Sequence, residues 1–252
     1  MPEKIKKYLK HPDLLFRNIL PYLAIKFADQ ERTFLEFFGN ESLSKPYTAH
    51  EALLEKIPEE NGFFVEVGGN DGYFQDPTYY LEKFRGWTGI IIEPLPTAAA
   101  CQKNRRRSVV VRAAMVPFGY SEKTITLTAC DKMSVIKNGV EGYTEWVQDA
   151  EHGQNIYAED IEVPARKLND VLDEYFSTHP KRQIDLMTMD TEGYELNVLK
   201  GLDLDACRPT RLLIEIHTPE RRAEIERHLG NRYHLVGQIV QKDYLYERVE
   251  RL

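Results

Sequence analysis

The chain has 252 residues, of which 42% are hydrophobic and 11% aromatic, enough apolar side chains for a folded domain with its own core. Its net charge of −7 argues against general nucleic-acid binding, since phosphate neutralisation requires an excess of basic residues. We find no apolar run of about 18 residues that would span a membrane and no signal-peptide pattern, and the three cysteines are widely separated, so we expect a cytoplasmic protein.

Residues 1–60 are predicted to form an N-terminal helical extension. From Met1 to Ala28 six basic residues stand against two acidic ones, a net charge of +4, and apolar residues recur at helical spacing around Pro12 and Pro21. One interpretation is a set of helices that caps the main domain or forms a homo-oligomer contact. The other is a basic amphipathic surface for anionic lipid or an anionic glycan carrier, which would bring the protein to a membrane surface.

A glycine-rich turn follows the first predicted strand, Phe63–Val67. The turn consists of Gly68, Gly69, Asn70, Asp71 and Gly72. A strand, a glycine turn and a helical pattern together open nucleotide-binding α/β domains. The spacing here is E-x-G-x-x-x-G rather than the G-x-G-x-x-G of dinucleotide sites, and the Glu66 carboxylate would repel a pyrophosphate. We therefore predict a cationic or zwitterionic ligand such as S-adenosylmethionine.

An acid ends the second predicted strand, Gly89–Glu93. Glu93 stands 21 residues after Gly72, where an acidic side chain accepts hydrogen bonds from a ribose diol. A nicotinamide-dependent oxidoreductase would use the same acid, but its glycine pattern is absent. A non-catalytic nucleotide-binding module of the same fold is the other alternative.

Strand and helix patterns alternate after residue 61, which predicts a parallel sheet with helices on both faces. Helices are expected at about 77–84 and 97–105, followed by a third strand over Val109–Ala113. Arg105, Arg106 and Arg107 come after the second of these helices, where we expect a solvated helix end that complements the dipole. A phosphate clamp for a substrate is the alternative.

The region from about 115 to 165 breaks this alternation and is predicted to be an insert on the substrate side. Its strands are expected at Thr124–Ala129 and Ile161–Pro164, paired with each other. The long polar segment between them carries Trp146 and Tyr157, which would either stack on a sugar or ring, or pack the insert onto the core. His152 is expected to be a plain surface histidine.

Acidic residues and a histidine end the next two predicted strands, Ile184–Met189 and Arg211–Ile216. Asp190 and Glu192 follow the first, and Glu215 and His217 share one face at the end of the second. Open α/β sheets place their chemistry at this edge, so these four side chains are predicted to converge there. Asp190, Glu215 and His217 are candidates for a general base or for ligands of a divalent cation such as magnesium. Tyr233–Val240 and Tyr244–Val249 are predicted to close the sheet as an antiparallel hairpin.

The order of these motifs resembles the FkbM-type family of S-adenosylmethionine-dependent methyltransferases, over about residues 62–217. The segments are EVGGNDG, GWTGIIIEP, IDLMTMDTEGYELNVLKG and LLIEIH. The most specific part is D-x-E-G-x-E followed by L-x-G, which is met here by Asp190, Glu192, Gly193, Glu195, Leu199 and Gly201. Two positions depart from the family: Thr188 stands where a lysine is common, and Gln75, Asp76 and Pro77 replace a commoner polar turn.

The resemblance implies a class I methyltransferase fold, a seven-stranded α/β sheet with helices on both faces and a reversed last strand. It also implies O-methylation, often of sugar hydroxyls in glycans or glycosylated natural products. Glu66, Gly68 and Gly72 would line the methionine end of the cofactor, Glu93 would hold the ribose, and Ala113 and Ala114 would lie near the adenine. The full predicted cofactor-binding set is Glu66, Gly68, Gly69, Asn70, Asp71, Gly72, Glu93, Pro94, Ala113 and Ala114.

The predicted organisation is therefore an extension at 1–60 and a methyltransferase domain at 61–252. The expected partners are S-adenosylmethionine and a small-molecule or glycan acceptor.

Overall fold

The computed structural model describes residues 51–73, 76–130, 133–140, 142–154 and 158–250. Residues 1–50 of the predicted extension at 1–60, the predicted membrane or oligomer contact, and the side chains of His152 and Tyr157 lie outside the described residues. In the described ranges no helix is both long and apolar enough to cross a membrane.

Seven strands form the main sheet. They are β1 (Phe63–Val67), β2 (Thr88–Ile92), β3 (Val109–Val111), β8 (Leu186–Met189), β9 (Arg211–Glu215), β10 (Tyr233–Val240) and β11 (Asp243–Arg248). Their order across the sheet is β10-β11-β9-β8-β1-β2-β3. Strand β11 runs antiparallel to both neighbours, whereas β9, β8, β1, β2 and β3 are mutually parallel. This is the class I methyltransferase sheet with its reversed last strand, which confirms the predicted fold and the closing hairpin.

Helices cover both faces of this sheet, as the alternation predicted. The helices of the described residues are α1 (Glu51–Lys56), α2 (Tyr79–Phe84), α3 (Ala98–Asn104), α4 (Tyr143–Gln154), α5 (Leu168–Thr178), α6 (Glu195–Leu199) and α7 (Pro219–Leu229), of which α4 belongs to the insert. Helices α5, α6 and α7 pack on the face that Phe63, Val65 and Val67 share, and α1, α2 and α3 pack on the opposite face. Because side chains alternate along a strand, Glu66 faces α2 and α3 together with Phe64.

Helix α1 contributes to the same core as the sheet. Leu53 and Ile57 are fully buried and cluster with Phe64 and Trp87. Burial of side chains of this size contributes about 1.5–3 kcal/mol each. The core of the domain thus includes residues from 53 onward, and the boundary at residue 60 stays a prediction.

The insert forms a second sheet with the order β4-β7-β5-β6. Its strands are β4 (Ala114–Met115), β5 (Thr124–Ala129), β6 (Val135–Ile136) and β7 (Glu159–Arg166). Strands β5 and β7 pair antiparallel, as predicted. Helix α4 lies where the sequence predicted only an irregular polar segment. Its sequence, YTEWVQDAEHGQ, has few apolar residues and so lacks the helical hydrophobic repeat.

Candidate active site

The glycine turn after β1 is bound to the end of β2. The backbone N–H of Gly68 donates to the Ile92 carbonyl over 2.9 Å, and the N–H of Asn70 donates to Glu93 Oε2 over 2.8 Å. Gly69 N also donates to Ile92, and Gly72 N donates to the Gly69 carbonyl. These N–H groups are therefore satisfied within the protein, unlike those of a turn that holds a pyrophosphate.

Two of the glycines are required by packing against the protein itself. Gly68 has φ +94°, and a Cβ there would lie 1.8 Å from the Asp190 carbonyl oxygen. At Gly69 a Cβ would lie 2.1 Å from Ile91 Cγ2. The sequence reasoning attributed these glycines to the approach of a ligand. In the structure Gly68 also lets the turn approach the chain at the end of β8, which places Asp190 beside it, and Gly69 lets the turn approach Ile91 in β2.

Glu93 is buried and organises the segment around it. Its carboxylate accepts hydrogen bonds from Asn70 N, from Leu95 N over 2.9 Å and from Thr97 Oγ1 over 3.1 Å. Desolvation raises the pKa of Glu93 above its ordinary value. A carboxylate has about four acceptor positions. Three are occupied here by protein donors, and a bond from the fourth to a ribose hydroxyl stays a prediction.

The remaining predicted cofactor residues lie around this edge. Asp71 Oδ1 accepts from Tyr73 N over 3.0 Å, and the Asp71 carbonyl accepts from Asn104 Nδ2. Pro94 follows Glu93 and is partly buried. Ala113 and Ala114 are buried in the core where the chain passes from β3 into β4. Their contact with an adenine stays a prediction.

Arg105 is fully buried, so its predicted place on a solvated helix end was wrong. Its guanidinium donates to Asp76 Oδ2 over 2.5 Å, to Glu82 Oε2 over 3.1 Å and to Thr78 Oγ1 over 2.6 Å. Arg106 and Arg107 are exposed, in agreement with the prediction. The run of three arginines gave no sign of which one is buried. The sequence did contain one signal of a buried arginine, the acid Glu66 inside β1, because a buried carboxylate needs a partner.

Glu66 belongs to the same buried cluster. Its Oε2 accepts from Thr78 Oγ1 over 2.6 Å and lies 3.5 Å from Arg105 Nη1. Desolvation and then the neighbouring Asp76 raise its pKa well above the ordinary value. Glu66 is only 2% exposed and faces this cluster. Its role toward the methionine end of a cofactor stays a prediction.

The structure brings together the four polar side chains that follow β8 and β9. His217 Nε2 lies 2.8 Å from Glu215 Oε2 and 3.7 Å from Glu192 Oε2. Asp190 and Glu215 form a side-chain hydrogen bond. The Asp190 backbone N–H donates to the Val67 carbonyl, which fixes this cluster at the glycine turn. The site is thus an acidic cleft that reaches the carboxyl end of β1.

Glu195 holds the loop that carries Glu192. Its Oε1 accepts from Thr191 N, Thr191 Oγ1 and Gly193 N, all within 3.0 Å. Glu192 itself has φ +56°, the left-handed region that non-glycine residues rarely adopt. The sequence suggested only a helix-dipole role for Glu195. In the structure it is 3% exposed and sets the shape of this loop.

Burial and mutual repulsion raise the pKa of each carboxyl group in this crowded cluster. Desolvation, followed by repulsion from Glu215, raises the pKa of Asp190 well above its ordinary value. Desolvation and repulsion from Asp190 raise the pKa of Glu192 to about 9. The pKa of Glu215 is raised to about 7, mainly by desolvation and against the lowering effect of the hydrogen bond from Asp190. The pKa of Glu215 thus lies near neutral pH, and that of Glu192 lies above it.

Two residues outside the predicted set contact the His217 ring. Lys242 Nζ lies 2.7 Å from His217 Nδ1, and the Trp146 ring meets the imidazole edge to face at 4.8 Å. Trp146 Nε1 donates to the Met133 carbonyl. Helix α4 of the insert therefore lies over the acidic cleft. The sequence singled out Trp146, but Lys242 stood in a hairpin turn with no distinguishing pattern.

Glu192, Glu215 and His217 also satisfy the spacing of a cation site. One ligand atom from each lies within 4.8 Å of the others. Carboxylate oxygen and imidazole nitrogen are donors that divalent transition metals accept. The predicted set had Asp190 in place of Glu192. Nδ1 of His217 accepts a hydrogen bond from Lys242, so the single proton of the neutral ring lies on Nε2. That proton would have to leave before Nε2 could bind a cation.

Comparison with known proteins gives one family and several relatives. Residues 66–246 match the family described as Methyltransferase FkbM domain. The chain is 26% identical over 212 residues to Methyltransferase sdnD of Sordaria araneosa, with 76% of each chain covered. It is 27% identical over 153 residues to Methyltransferase 1 of Beauveria bassiana, with 57% of this chain and 59% of that protein covered.

Solved structures of methyltransferases are also similar to the chain. A SAM-dependent methyltransferase from Aquifex aeolicus aligns with a TM-score of 0.39 at 11% identity, over 85% of this chain and 96% of that one.

Proposed function

Since the chain belongs to the FkbM methyltransferase family and is an S-adenosylmethionine-dependent methyltransferase, we propose that it methylates a hydroxyl oxygen of a sugar, glycan or glycosylated natural product. The observation that carries the proposal is the hydrogen-bonded pair of Asp190 and Glu215 beside the glycine turn. A hydroxyl is a weak nucleophile until its proton is removed, and this pair holds an ionisable carboxyl group whose pKa is near neutral pH.

The residues at the turn fit S-adenosylmethionine better than a dinucleotide. The N–H groups of Gly68, Gly69 and Asn70 are already bonded within the protein, so they are not free for a pyrophosphate. The acidic residues nearby suit a ligand that carries a sulfonium and an amino group. When bound, S-adenosylmethionine supplies an activated methyl group. Glu93 would hold its ribose, with the loop 68–72 along the methionine.

Glu215 is the proposed proton acceptor. Asp190 is the donor in its hydrogen bond with Glu215, since that bond raises the pKa of Asp190 and lowers that of Glu215, and His217 Nε2 lies 2.8 Å from the same carboxylate. Two donors hold Glu215 in one orientation, which aligns its free electron pair with an acceptor hydroxyl in the cleft. The protein's part in the reaction is thus to orient the acceptor and take its proton.

The insert supports an acceptor with a sugar ring. Trp146 is partly exposed at the edge of the cleft, where an aromatic face can pack against the apolar side of a sugar. The carboxyl groups of the cleft can accept hydrogen bonds from several hydroxyls. A cationic amine would also suit an acidic cleft, and it is the competing acceptor that the experiment must separate.

A divalent cation is the second candidate for activation of the hydroxyl, held by Glu192, Glu215 and His217. Its test is turnover of the full chain after chelator treatment and again after magnesium or manganese is restored. Activity that requires the added ion would favour the cation over Glu215 as the means of activation.

The proposal is tested with the full 252-residue chain in two steps. Isothermal titration should show binding of S-adenosylmethionine and S-adenosylhomocysteine, and no binding of NAD. The chain is then incubated with deuteromethyl-labelled cofactor and a panel of glycosides, with matched amino sugars included. Label on a hydroxyl oxygen supports the proposal, and label only on nitrogen or carbon overturns it.

A further inference from the structure

Lys242 reaches the site from the hairpin that closes the sheet. The Lys242 carbonyl accepts from Ile216 N over 2.9 Å, and Asp243 pairs with Glu215 in the register of β11 and β9. This backbone contact fixes the turn directly beside the end of β9. The Lys242 side chain then places Nζ 2.7 Å from His217 Nδ1.

The hydrogen bonds of the ring determine where its proton lies. A lysine ammonium has three donors and no acceptor, so Nδ1 of His217 must accept from Lys242. A neutral imidazole has one N–H, which is therefore on Nε2. Nε2 lies 2.8 Å from Glu215 Oε2 and donates to it. Both ring nitrogens are occupied, and neither is free to accept a proton from a substrate.

The reversed ring orientation is disfavoured. A half-turn of the imidazole would place carbon atoms opposite the Lys242 ammonium and the Glu215 carboxylate, which would lose both hydrogen bonds. Trp146 packs against the ring at an interplanar angle of 81° and restricts its rotation. Both the polar contacts and the packing select one orientation.

Burial and the positive charge of Lys242 both favour the neutral His217 ring. The carboxylates of Glu195 and Asp243 favour the charged imidazolium, while Lys242 opposes them. Desolvation and then Lys242 lower the pKa of His217 below its ordinary value. Without Lys242 the ring would be free to carry its proton on Nδ1 and to turn its Nε2 lone pair toward the cleft.

We propose that Lys242 is a positioning residue that holds His217 in the Nε2–H tautomer, so that His217 donates to Glu215 and Glu215 accepts the proton of the acceptor hydroxyl. This inference rests on the proposed function for its last step only.

The tautomer of His217 is determined by NMR spectra that use the two-bond ¹H–¹⁵N couplings of the imidazole ring. The sample is the ¹⁵N-labelled full chain without cofactor or acceptor. His217→Gln identifies the ring's signals among those of the seven histidines. In the unsubstituted chain we expect an unprotonated Nδ1 and a protonated Nε2. Lys242→Met should lose this pattern, Lys242→Arg should keep it, and Lys123→Met, at an exposed position remote in sequence, should leave it unchanged. A protonated Nδ1 in the unsubstituted chain, or an unchanged spectrum in Lys242→Met, would overturn the proposal.

Kinetics test the consequence of the tautomer. Lys242→Met should lower kcat by about 10- to 100-fold, as is typical when a partner that orients a functional histidine is lost. The KM for S-adenosylmethionine should not change, and Lys242→Arg should restore most of kcat. Unchanged kcat in Lys242→Met would remove Lys242 from the positioning role. If the chain fails to methylate hydroxyls, the NMR result still decides the tautomer, so the two failures are distinguishable.

Discussion

The backbone N–H of Asn70 donates to Glu93 Oε2 over 2.8 Å, which joins the glycine turn after β1 to the acid that ends β2. The same carboxylate accepts from Leu95 N and Thr97 Oγ1. Glu93 therefore determines the shape of the turn as well as the hydrogen-bonding character of the proposed ribose site. The two parts of the predicted cofactor site are one hydrogen-bonded unit.

Glu93→Ala is expected to weaken S-adenosylmethionine binding by about 1–3 kcal/mol, because it removes the anchor of the turn together with a buried acceptor. Isothermal titration measures the loss. Glu93→Gln should give a smaller loss, since its amide keeps one acceptor oxygen but cannot accept at both. Glu159→Ala, at an exposed position on β7, is the control. An affinity equal to that of the unsubstituted chain in Glu93→Ala would contradict the ribose assignment.

Arg105→Met is expected to lower the free energy of unfolding by about 3–5 kcal/mol, because it leaves the buried carboxylates of Asp76 and Glu82 without their partner. Urea unfolding with the linear extrapolation measures the change. Arg105→Lys should recover only part of it, since an ammonium lacks the planar fork of donors that reaches three groups.

The neighbouring arginine provides a matched control for this prediction. Arg106 is exposed, so Arg106→Met removes the same charge one residue away and should change the free energy of unfolding by no more than about 0.5 kcal/mol. Equal losses in the two variants would show that net charge, rather than the buried cluster, is responsible.

The sequence predicted most of the main sheet because its strands carry strong local patterns. Phe63–Val67 and Tyr233–Val240 were predicted to the residue, and the converging side chains at Asp190 and Glu215 followed from the rule that parallel strands end at one edge. Helix α4 was missed because its apolar residues are too few for a helical repeat to be recognised.

Contacts between distant segments were beyond the reach of the sequence. Arg105 meets Asp76, which precedes α2, and Glu82, which lies within α2, and nothing in the local pattern of RRR distinguishes its first arginine from the others. Lys242 meets His217 only because the register of β11 against β9 brings the hairpin turn to the end of that strand. Such pairs depend on how elements pack, not on their periodicity.

Glu192 is expected to make the stability fall as the pH rises. Its pKa is about 9 in the folded chain and has an ordinary value of 4.5. Below 4.5 the carboxyl group is protonated in both states. Between 4.5 and about 9 the unfolded chain loses this proton while the folded chain keeps it, so unfolding releases a proton and is favoured as the pH rises.

Glu192→Gln removes this contribution. The free energy of unfolding of the variant, minus that of the unsubstituted chain, should therefore become more positive as the pH rises from 4.5 to about 9. Urea unfolding at about pH 5, 7 and 9 measures the difference. The exposed control Glu159→Gln should show no such trend. A difference between Glu192→Gln and the unsubstituted chain that stays constant with pH would contradict the raised pKa.

Glu215 is expected to set the pH dependence of turnover. Its pKa is about 7 in the folded chain, and only the ionised carboxylate can take a proton from the acceptor, so kcat/KM should rise about tenfold per pH unit below 7 and level off above it.

Glu215→Gln should lower kcat by roughly 10²- to 10⁴-fold and leave S-adenosylmethionine affinity near its original value. Glu220→Gln, at an exposed position in the first turn of α7, should keep the profile of the unsubstituted chain. A profile that is flat between about pH 5.5 and 8.5, or full activity in Glu215→Gln, would assign the proton to another group.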